Sequence, residues 1–430
     1  MSKPAGGCRV TVMSPGAELG GAERSLLAFL QASGAYGLET SVILPRGGAL
    51  ALALASQGRQ GRVVQPPRAL LRQSRHLHPV SLAMATLLPV AVPRYLARLA
   101  AAIRAEAPDV LYSNGVKAHL LASALGPWLG VPVVWHVRDF LDGPLLTRLA
   151  DKVPQRVIAN SEAVAAHLSR GMRQPHKVCA IHNAVDLNEF SPAGRSSSAA
   201  MRYPAPYRVG LPAVLARWKG QLLFLDAVER IRQHCPGTLF FIIGGSIYDT
   251  TSEWGYEREL RGEIARRRLD EVVVITGFQR DMAPWYRALD VCVHASTRPE
   301  PFGRTVMEAM ACGRALVAAR AGGIPELVSH GQNGLLYPMG DARALADAVV
   351  MLLSNPRERL RLGVAARAAA VERFSPERYA ASIASVLRAA ADSKTRCVYN
   401  GLDRSNGFCG ETRARISPDL RGSERSGQSA

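Results

Sequence analysis

The chain has 430 residues, 48% of them hydrophobic and 20% charged, and 53 Lys and Arg against 35 Asp and Glu give a formal charge of +18. That length fits two domains at roughly 100–200 residues each, and the composition excludes a collagenous, disordered or disulfide-scaffold chain. The positive balance favours anionic partners (nucleic acid, anionic lipid or phosphorylated small molecules) without choosing among them, and an Arg- and Ala-rich coding bias would give the same surplus.

Aromatics are only 6% of the chain, and no aromatic residues interleave with basic ones as single-strand binders require, so no nucleic-acid partner is expected. The seven cysteines, at 8, 179, 235, 292, 312, 397 and 409, form no Cys-x-x-Cys pair. None has zinc-ligand spacing to histidine. Reduced thiols in a cytoplasmic protein are the simplest expectation. The N-terminus, Met1 to Gly7, has no apolar core, so no signal peptide is expected.

In chain order, short apolar runs alternate with longer amphipathic stretches. The runs are Val10–Met13, Ser41–Leu44, Val110–Tyr112, Val131–Trp135, Arg156–Ala159 and Val178–Ile181. Nearly continuous apolar strands predict a parallel sheet covered on both faces, with helical crossovers. Between the first runs, Arg59 to Arg75 and His78 place positive charge beside the uncharged run 79–93. Contact with an anionic membrane surface and a solvated loop before a core helix both fit that pattern. The run is shorter than the about 20 residues a spanning helix needs, and Pro89 interrupts it, so no transmembrane segment is expected.

The Pro-, Gly- and Ser-rich stretch 191–203 reads as a linker between residues 1–190 and a second unit, 204–373. There the pattern restarts with Val209–Leu215, Leu239–Ile243, Val272–Thr276, Val291–His294 and Ala315–Ala318. Helical stretches at 341–354 and 356–373 follow. A last helix, about Pro376 to Ala390 within residues 374–392, is expected to cross back to the first unit. From 393 to 430 the chain is Arg-, Ser- and Gly-rich and poor in aliphatics, so disorder is expected. The fold class is therefore α/β, with two doubly wound, Rossmann-like parallel-sheet domains facing across a cleft.

Ligands of such sheets gather beyond the carboxyl ends of the strands. After the first strand, Gly20 and Gly21 precede a helix at about Ala22, where backbone N–H groups could approach a phosphate. After the first strand of the second unit stand Arg217 and Lys219, two cations at a helix start. They oppose the macrodipole there unless an anion binds, and a diphosphate would supply it. Third, Glu300 lies in a Pro/Gly loop after strand 291–295, and Glu308 lies about one turn into a helix beginning near Arg304. Such carboxylates can accept hydrogen bonds from vicinal sugar hydroxyls. The N–H groups of Phe302, Gly303, Arg304 and Thr305 could meet phosphate at that helix start.

These segments together resemble glycosyltransferase family 4, a retaining family with the GT-B fold, over residues 8 to about 390. The resemblance rests on Gly20–Glu23, Arg217–Gly220, Gly277-Phe278, the Glu300/Glu308 pair, Asn160-Ser161 and Ile181–Asp186, in that family's order and spacing. The chain departs from the family at Ala216, Pro301 and residues 136–139. The resemblance implies that Gly20 and Gly21 contact the donor from the first domain and that Arg217 and Lys219 hold its diphosphate. It also implies that Gly277 and Phe278 cradle the base, Glu300 touches the donor sugar, Glu308 holds the ribose, and His136 stands in the catalytic cleft. The implied activity is transfer of a hexose-type sugar, with retention, from a UDP- or GDP-sugar to a glycan or lipid-linked acceptor. No acidic pair suited to a metal follows a strand, so no obligatory cation or other cofactor is expected. A sugar-nucleotide epimerase of the same fold and a non-catalytic membrane-associated scaffold are the alternatives.

Overall fold

The computed structural model describes residues 7–67, 82–246 and 253–402, with backbone only at 82–89 and 393–402. The first sheet contains β1 (Cys8–Met13), β2 (Leu38–Leu44), β3 (Gly61–Val63), β4 (Val110–Asn114), β5 (Val133–Val137), β6 (Arg156–Ala159) and β7 (Val178–Ala180). All its pairings are parallel, in the order β3-β2-β1-β4-β5-β6-β7. The second contains β8 (Arg208–Pro212), β9 (Leu239–Ile243), β10 (Val273–Ile275), β11 (Val291–His294), β12 (Ala315–Ala319) and β13 (Leu335–Tyr337). It too is wholly parallel, in the order β10-β9-β8-β11-β12-β13. Each order reverses direction once, between β1 and β4 and between β8 and β11. A doubly wound sheet opens a crevice at that reversal.

Each sheet is buried on both faces, which explains its continuous apolar strands. In β5, Val133, Trp135 and Val137 join one apolar cluster while Val134 joins the other. This alternation is the two-residue period of a strand. Residues 188–197 lead between the sheets to the short helix Ser198–Met201. This connection is pinned: the Arg287 guanidinium donates to the carbonyls of Arg195, Glu189 and Ser191, and Ala200 is buried.

The helix Pro376–Leu402 returns to the first sheet. Tyr379, Ala380, Ile383, Ala384, Leu387 and Ala390 recur at helical spacing and join Val10, Leu26 and Tyr112 in one core. At ~1.5–3 kcal/mol for each large side chain fully buried, Ile383 and Leu387 alone anchor it firmly. The helix passes its expected end near Ala390, and the expected disordered tail lies, from residue 403 with Cys409, outside the described residues. Pro89, expected to interrupt the apolar run, lies within the helix Leu82–Glu106. That helix is held from Tyr95 onward by Tyr95, Leu99, Ala100 and Ile103 in the core. Most of the basic stretch beside it, residues 68–81, is outside the described residues. Of its described part, Arg59 donates to Thr40 and the Leu30 carbonyl, and Arg62 pairs with Glu106. Among the described residues, no helix is long and apolar enough to cross a membrane.

Candidate active site

The turns after β8 and β11 meet at the reversal of the second sheet. After β8 the chain makes a 3-10 turn, Arg217–Lys219, and then Gly220 at φ +75° opens the helix Gln221–His234. Only glycine fits at 220, because a Cβ there would lie 1.9 Å from the Ala295 carbonyl oxygen beyond β11. The two turns are also tied directly, since the Thr297 N–H donates to the Trp218 carbonyl at 2.8 Å.

This packing brings Lys219 to Glu300. The Lys219 ammonium donates to both Glu300 oxygens, at 2.9 and 2.7 Å, with the side chains only 14% and 12% exposed. The Ser296 hydroxyl donates to Glu300 Oε2 at 3.0 Å, and His294 Nε2 lies 3.5 Å from the same oxygen. Burial alone would raise the Glu300 pKa, but the Lys219 charge and the hydrogen bonds from His294 and Lys219 hold it far below the ordinary glutamate value. The carboxylate is therefore ionised, oriented and able to accept further hydrogen bonds from hydroxyls. His294 and Ser296 are site residues that the sequence reading passed over. The signal was their place at the carboxyl end of β11, where His294 is the last residue and Ser296 lies two residues beyond it.

The loop then turns into the helix Arg304–Ala311. Gly303 precedes it at φ +103°, and a Cβ there would strike Ile324. Among the described residues no side chain caps this helix start, so the first N–H groups, including those of Arg304 and Thr305, are available to an anion. Glu308, one turn in, is buried: Arg304 Nε donates to Oε1 at 2.7 Å and the Tyr286 hydroxyl to Oε2 at 2.9 Å. Each oxygen keeps a lone pair for a ligand hydroxyl. Arg304 Nη1 is buried without a partner among the described residues. Phe302 contributes its backbone only, because its ring is buried against His182 and Phe374.

Other expected residues fall into distinct positions. Gly277, at φ +70°, bridges to Gly244, and the Phe278 ring next to it is 66% exposed, a free flat face beside the carboxyl end of β10. Gly20 caps the helix Gly21–Ser33, its N–H donating to Glu23 at 3.1 Å. Gly21 faces the other domain, since a Cβ on it would come within 3.7 Å of Arg304 Cδ.

Two expected residues have other partners in this structure. Arg217 does not converge with Lys219: its guanidinium forms a two-pronged pair with Glu259 and stacks over Tyr256 at 4.9 Å. The pair is about 40–45% exposed, and such pairs are worth only about 0–1 kcal/mol, so a diphosphate could displace it. His136 is 0% exposed. It lies on the face of β5 covered by the C-terminal helix, with Nδ1 against the Tyr112 hydroxyl and its ring 6.3 Å from that of Tyr379. Burial, reinforced by Arg138 and His119, holds its pKa well below the ordinary histidine range. The imidazole is neutral and is not presented to the cleft.

The two domains touch across the site. Glu326 accepts from the N–H groups of Glu162 and Ala163, at the start of the helix Glu162–Ser169, each at 2.8 Å, and its Oε2 lies 2.8 Å from His182 Nε2. Burial would raise the Glu326 pKa, but the bonds from His182 and the two N–H groups bring it below the usual value.

Comparisons with known proteins agree with this architecture. Residues 19–189 match the family described as Glycosyltransferase Family 4, and residues 207–355 match Glycosyl transferases group 1. The chain is 30% identical over 279 residues to the lipopolysaccharide core biosynthesis mannosyltransferase LpcC of Rhizobium leguminosarum bv. viciae, covering 59% of this chain and 77% of that enzyme. It is 32% identical over 219 residues to a D-inositol 3-phosphate glycosyltransferase of Pseudarthrobacter chlorophenolicus, spanning 49% of this chain and only 50% of that protein's length. Among solved structures, Anabaena Alr3699/HepE in complex with UDP-glucose superimposes with a TM-score of 0.75 at 26% identity, over 89% of this chain and 99% of that one. The sheets, their shared reversal and the two matched segments lead to one assignment: the chain is a GT-B glycosyltransferase belonging to glycosyltransferase family 4.

Proposed function

We propose that the protein transfers a hexose-type sugar, with retention of anomeric configuration, from a UDP- or GDP-sugar to a glycan or lipid-linked acceptor. The observation that carries this reading is the Lys219–Glu300 pair, braced by Ser296 and His294 beside an uncapped helix start. It joins a cation for phosphate to an ionised acceptor for sugar hydroxyls at the point where the sheet opens. The HepE complex with UDP-glucose and the mannosyltransferase relatives support a nucleotide-sugar donor.

In this reading the donor base lies against Phe278 and Gly277, and the ribose hydroxyls bond Glu308. The diphosphate takes Lys219, the N–H groups of Gly303 to Thr305, and the free nitrogen of Arg304, while Arg217 leaves Glu259 to join it. As the bond to the anomeric carbon breaks, negative charge grows on the departing phosphate. Fixed positive groups aimed there lower the barrier because they need no reorganisation. Glu300 orients the sugar, and Gly20 and Gly21 close over the donor from the first domain. These cations do what a metal would otherwise do, so metal-free turnover is part of the proposal. Retention rests on family membership. The acceptor enters from the first domain, in glycan assembly at a membrane face.

The test is to incubate the protein in EDTA with UDP-glucose, UDP-galactose, UDP-N-acetylglucosamine and GDP-mannose, and to follow slow donor hydrolysis or transfer by proton NMR. Turnover of one donor, giving first the anomer present in the donor, supports the reading. An inverted product, or strict dependence on added Mg²⁺ or Mn²⁺, contradicts it.

A further inference from the structure

Ten buried side-chain polar atoms lack a hydrogen-bond partner among the described residues, and four of them gather in one place: Ser14 Oγ, Asn114 Nδ2, His136 Nε2 and Asn160 Oδ1. The strand register explains why. Met13 lies beside Ser113, Asn114 beside His136, and Val137 beside Ala159. Ser14, Asn114, Arg138 and Asn160 therefore form a row at the carboxyl ends of β1, β4, β5 and β6. That row spans the reversal of the first sheet, where such sheets bind ligands. Gly21, in the loop after β1, packs towards Arg304 of the donor half, so the row belongs to the opposite wall of the same cleft.

At its centre is a cation with neutral partners. Arg138 Nε donates to Asn114 Oδ1 at 2.5 Å, Nη1 to Asn183 Oδ1 at 2.8 Å and Nη2 to the Tyr379 hydroxyl at 3.1 Å, with His136 Nδ1 at 3.4 Å. Among the described residues no carboxylate comes within ion-pairing distance. The acid whose field reaches Arg138 is Glu23, which itself accepts from the Gly20 N–H. Arg138 is half-buried, and a charge drawn out of water is ordinarily paired. A guanidinium offers five donors in a planar fork suited to phosphate or carboxylate. An orphaned donor (Asn114 Nδ2) next to it adds to an anion's bonds, and an orphaned acceptor (Asn160 Oδ1) suits a neighbouring hydroxyl.

We propose that Arg138, with Ser14, Asn114 and Asn160, is an acceptor subsite for an anionic group, a phosphate or a carboxylate carried by the sugar or lipid that receives the transferred hexose. The proposal rests on the transferase reading above, but its test does not depend on turnover. The full chain is saturated with UDP or GDP to fill the donor diphosphate site, and melting is followed against inorganic phosphate and acetate, with chloride at matched ionic strength as reference. Phosphate stabilises the wild type beyond chloride, and Lys219→Ala, in which the donor site is crippled, keeps that response. Asn114→Asp supplies an internal counterion to Arg138 while preserving the fold, and weakens phosphate binding about 10- to 100-fold, the scale of a charged hydrogen bond. Arg138→Gln has the same effect, and Arg138→Lys retains part of the response.

A response to phosphate alone identifies a phosphorylated acceptor, and a response to acetate as well, or instead, identifies a carboxylate-bearing one. The proposal is overturned if neither anion acts beyond chloride, or if phosphate acts equally on Asn114→Asp. If no nucleotide binds, the donor reading fails, and the anion response of nucleotide-free Lys219→Ala still decides the subsite.

Discussion

Replacing Lys219 with alanine separates the two roles of the Lys219–Glu300 pair. Its partner carboxylate is about nine-tenths buried and, among the described residues, receives Ser296 and His294 besides the ammonium. Breaking a buried pair by removing one member costs ~3–5 kcal/mol, and the residual exposure of both groups places the expected loss near the lower end, about 3 kcal/mol. The sign with pH follows from the Glu300 pKa, which is depressed in the folded wild type. Its stabilisation is present above the unfolded glutamate value of about 4.3 and is lost as pH falls towards the folded value. In Lys219→Ala the depressing charge is gone and burial raises the Glu300 pKa instead. Folding then favours the protonated acid, so the stability gap to wild type is largest near neutrality and narrows on acidification. Denaturant melts at pH 7 and pH 4.5 measure this. The double variant Lys219→Ala with Glu300→Gln removes the stranded charge and recovers much of the stability. It does not recover turnover, which falls about 10²–10³-fold if Lys219 stabilises the departing phosphate as oxyanion donors do. A double variant with near-normal turnover would refute the catalytic role, and an unchanged stability gap at both pH values would refute the electrostatic one.

Other substitutions test other parts of the site. Phe278→Ala, at an exposed ring, should change stability by less than about 0.5 kcal/mol yet weaken nucleotide binding by about 1–3 kcal/mol, the usual worth of base stacking; calorimetry checks both. Tyr286→Phe strips one donor from Glu308 and should raise the donor KM more than it lowers kcat if that carboxylate holds the ribose. Gly220→Ala forces a side chain into φ +75° and against the Ala295 carbonyl, so a loss of at least about 1–3 kcal/mol is expected, visible as a lowered Tm. Glu326→Gln keeps the size but removes the charge that faces His182 and two helix N–H groups. Because the wild-type Glu326 pKa is depressed, the stability difference between Glu326→Gln and wild type should shrink as pH falls below about 4.3.

Much of the fold was legible in the sequence. Arg156–Ala159, Leu239–Ile243 and Val291–His294 are strands at the residues read from their apolar runs, because a strand buried on both faces is apolar at consecutive positions and stands out from its flanks. The edge strands Gly61–Val63 and Leu335–Tyr337 were missed: three residues are too few to show a period, and a neighbour's hydrogen bonds define them. The helix Arg304–Ala311, and the position of Glu308 within it, followed from the preceding Pro/Gly loop. The facing of side chains was not legible. His136 stands in a strand run, but its burial depends on which sheet face the C-terminal helix covers, the face that residues 134, 136 and 138 share. That is settled by contacts with Tyr379, more than 240 positions away. Arg217 was read as a phosphate ligand from its spacing to Lys219, yet a 3-10 turn splays the two side chains and leaves Arg217 to Glu259. The bracing of Glu300 by His294 and Ser296 depends likewise on how the loop after β11 folds back, which local pattern does not encode.

The most direct test of the central claim is isothermal calorimetry of UDP and GDP, in EDTA, against the wild type and Lys219→Ala. Metal-free binding of one nucleotide, weakened at least about tenfold by the loss of a charged hydrogen bond in Lys219→Ala, is the predicted result. Equal affinity in both proteins, or no binding of either nucleotide without a divalent metal, would contradict it.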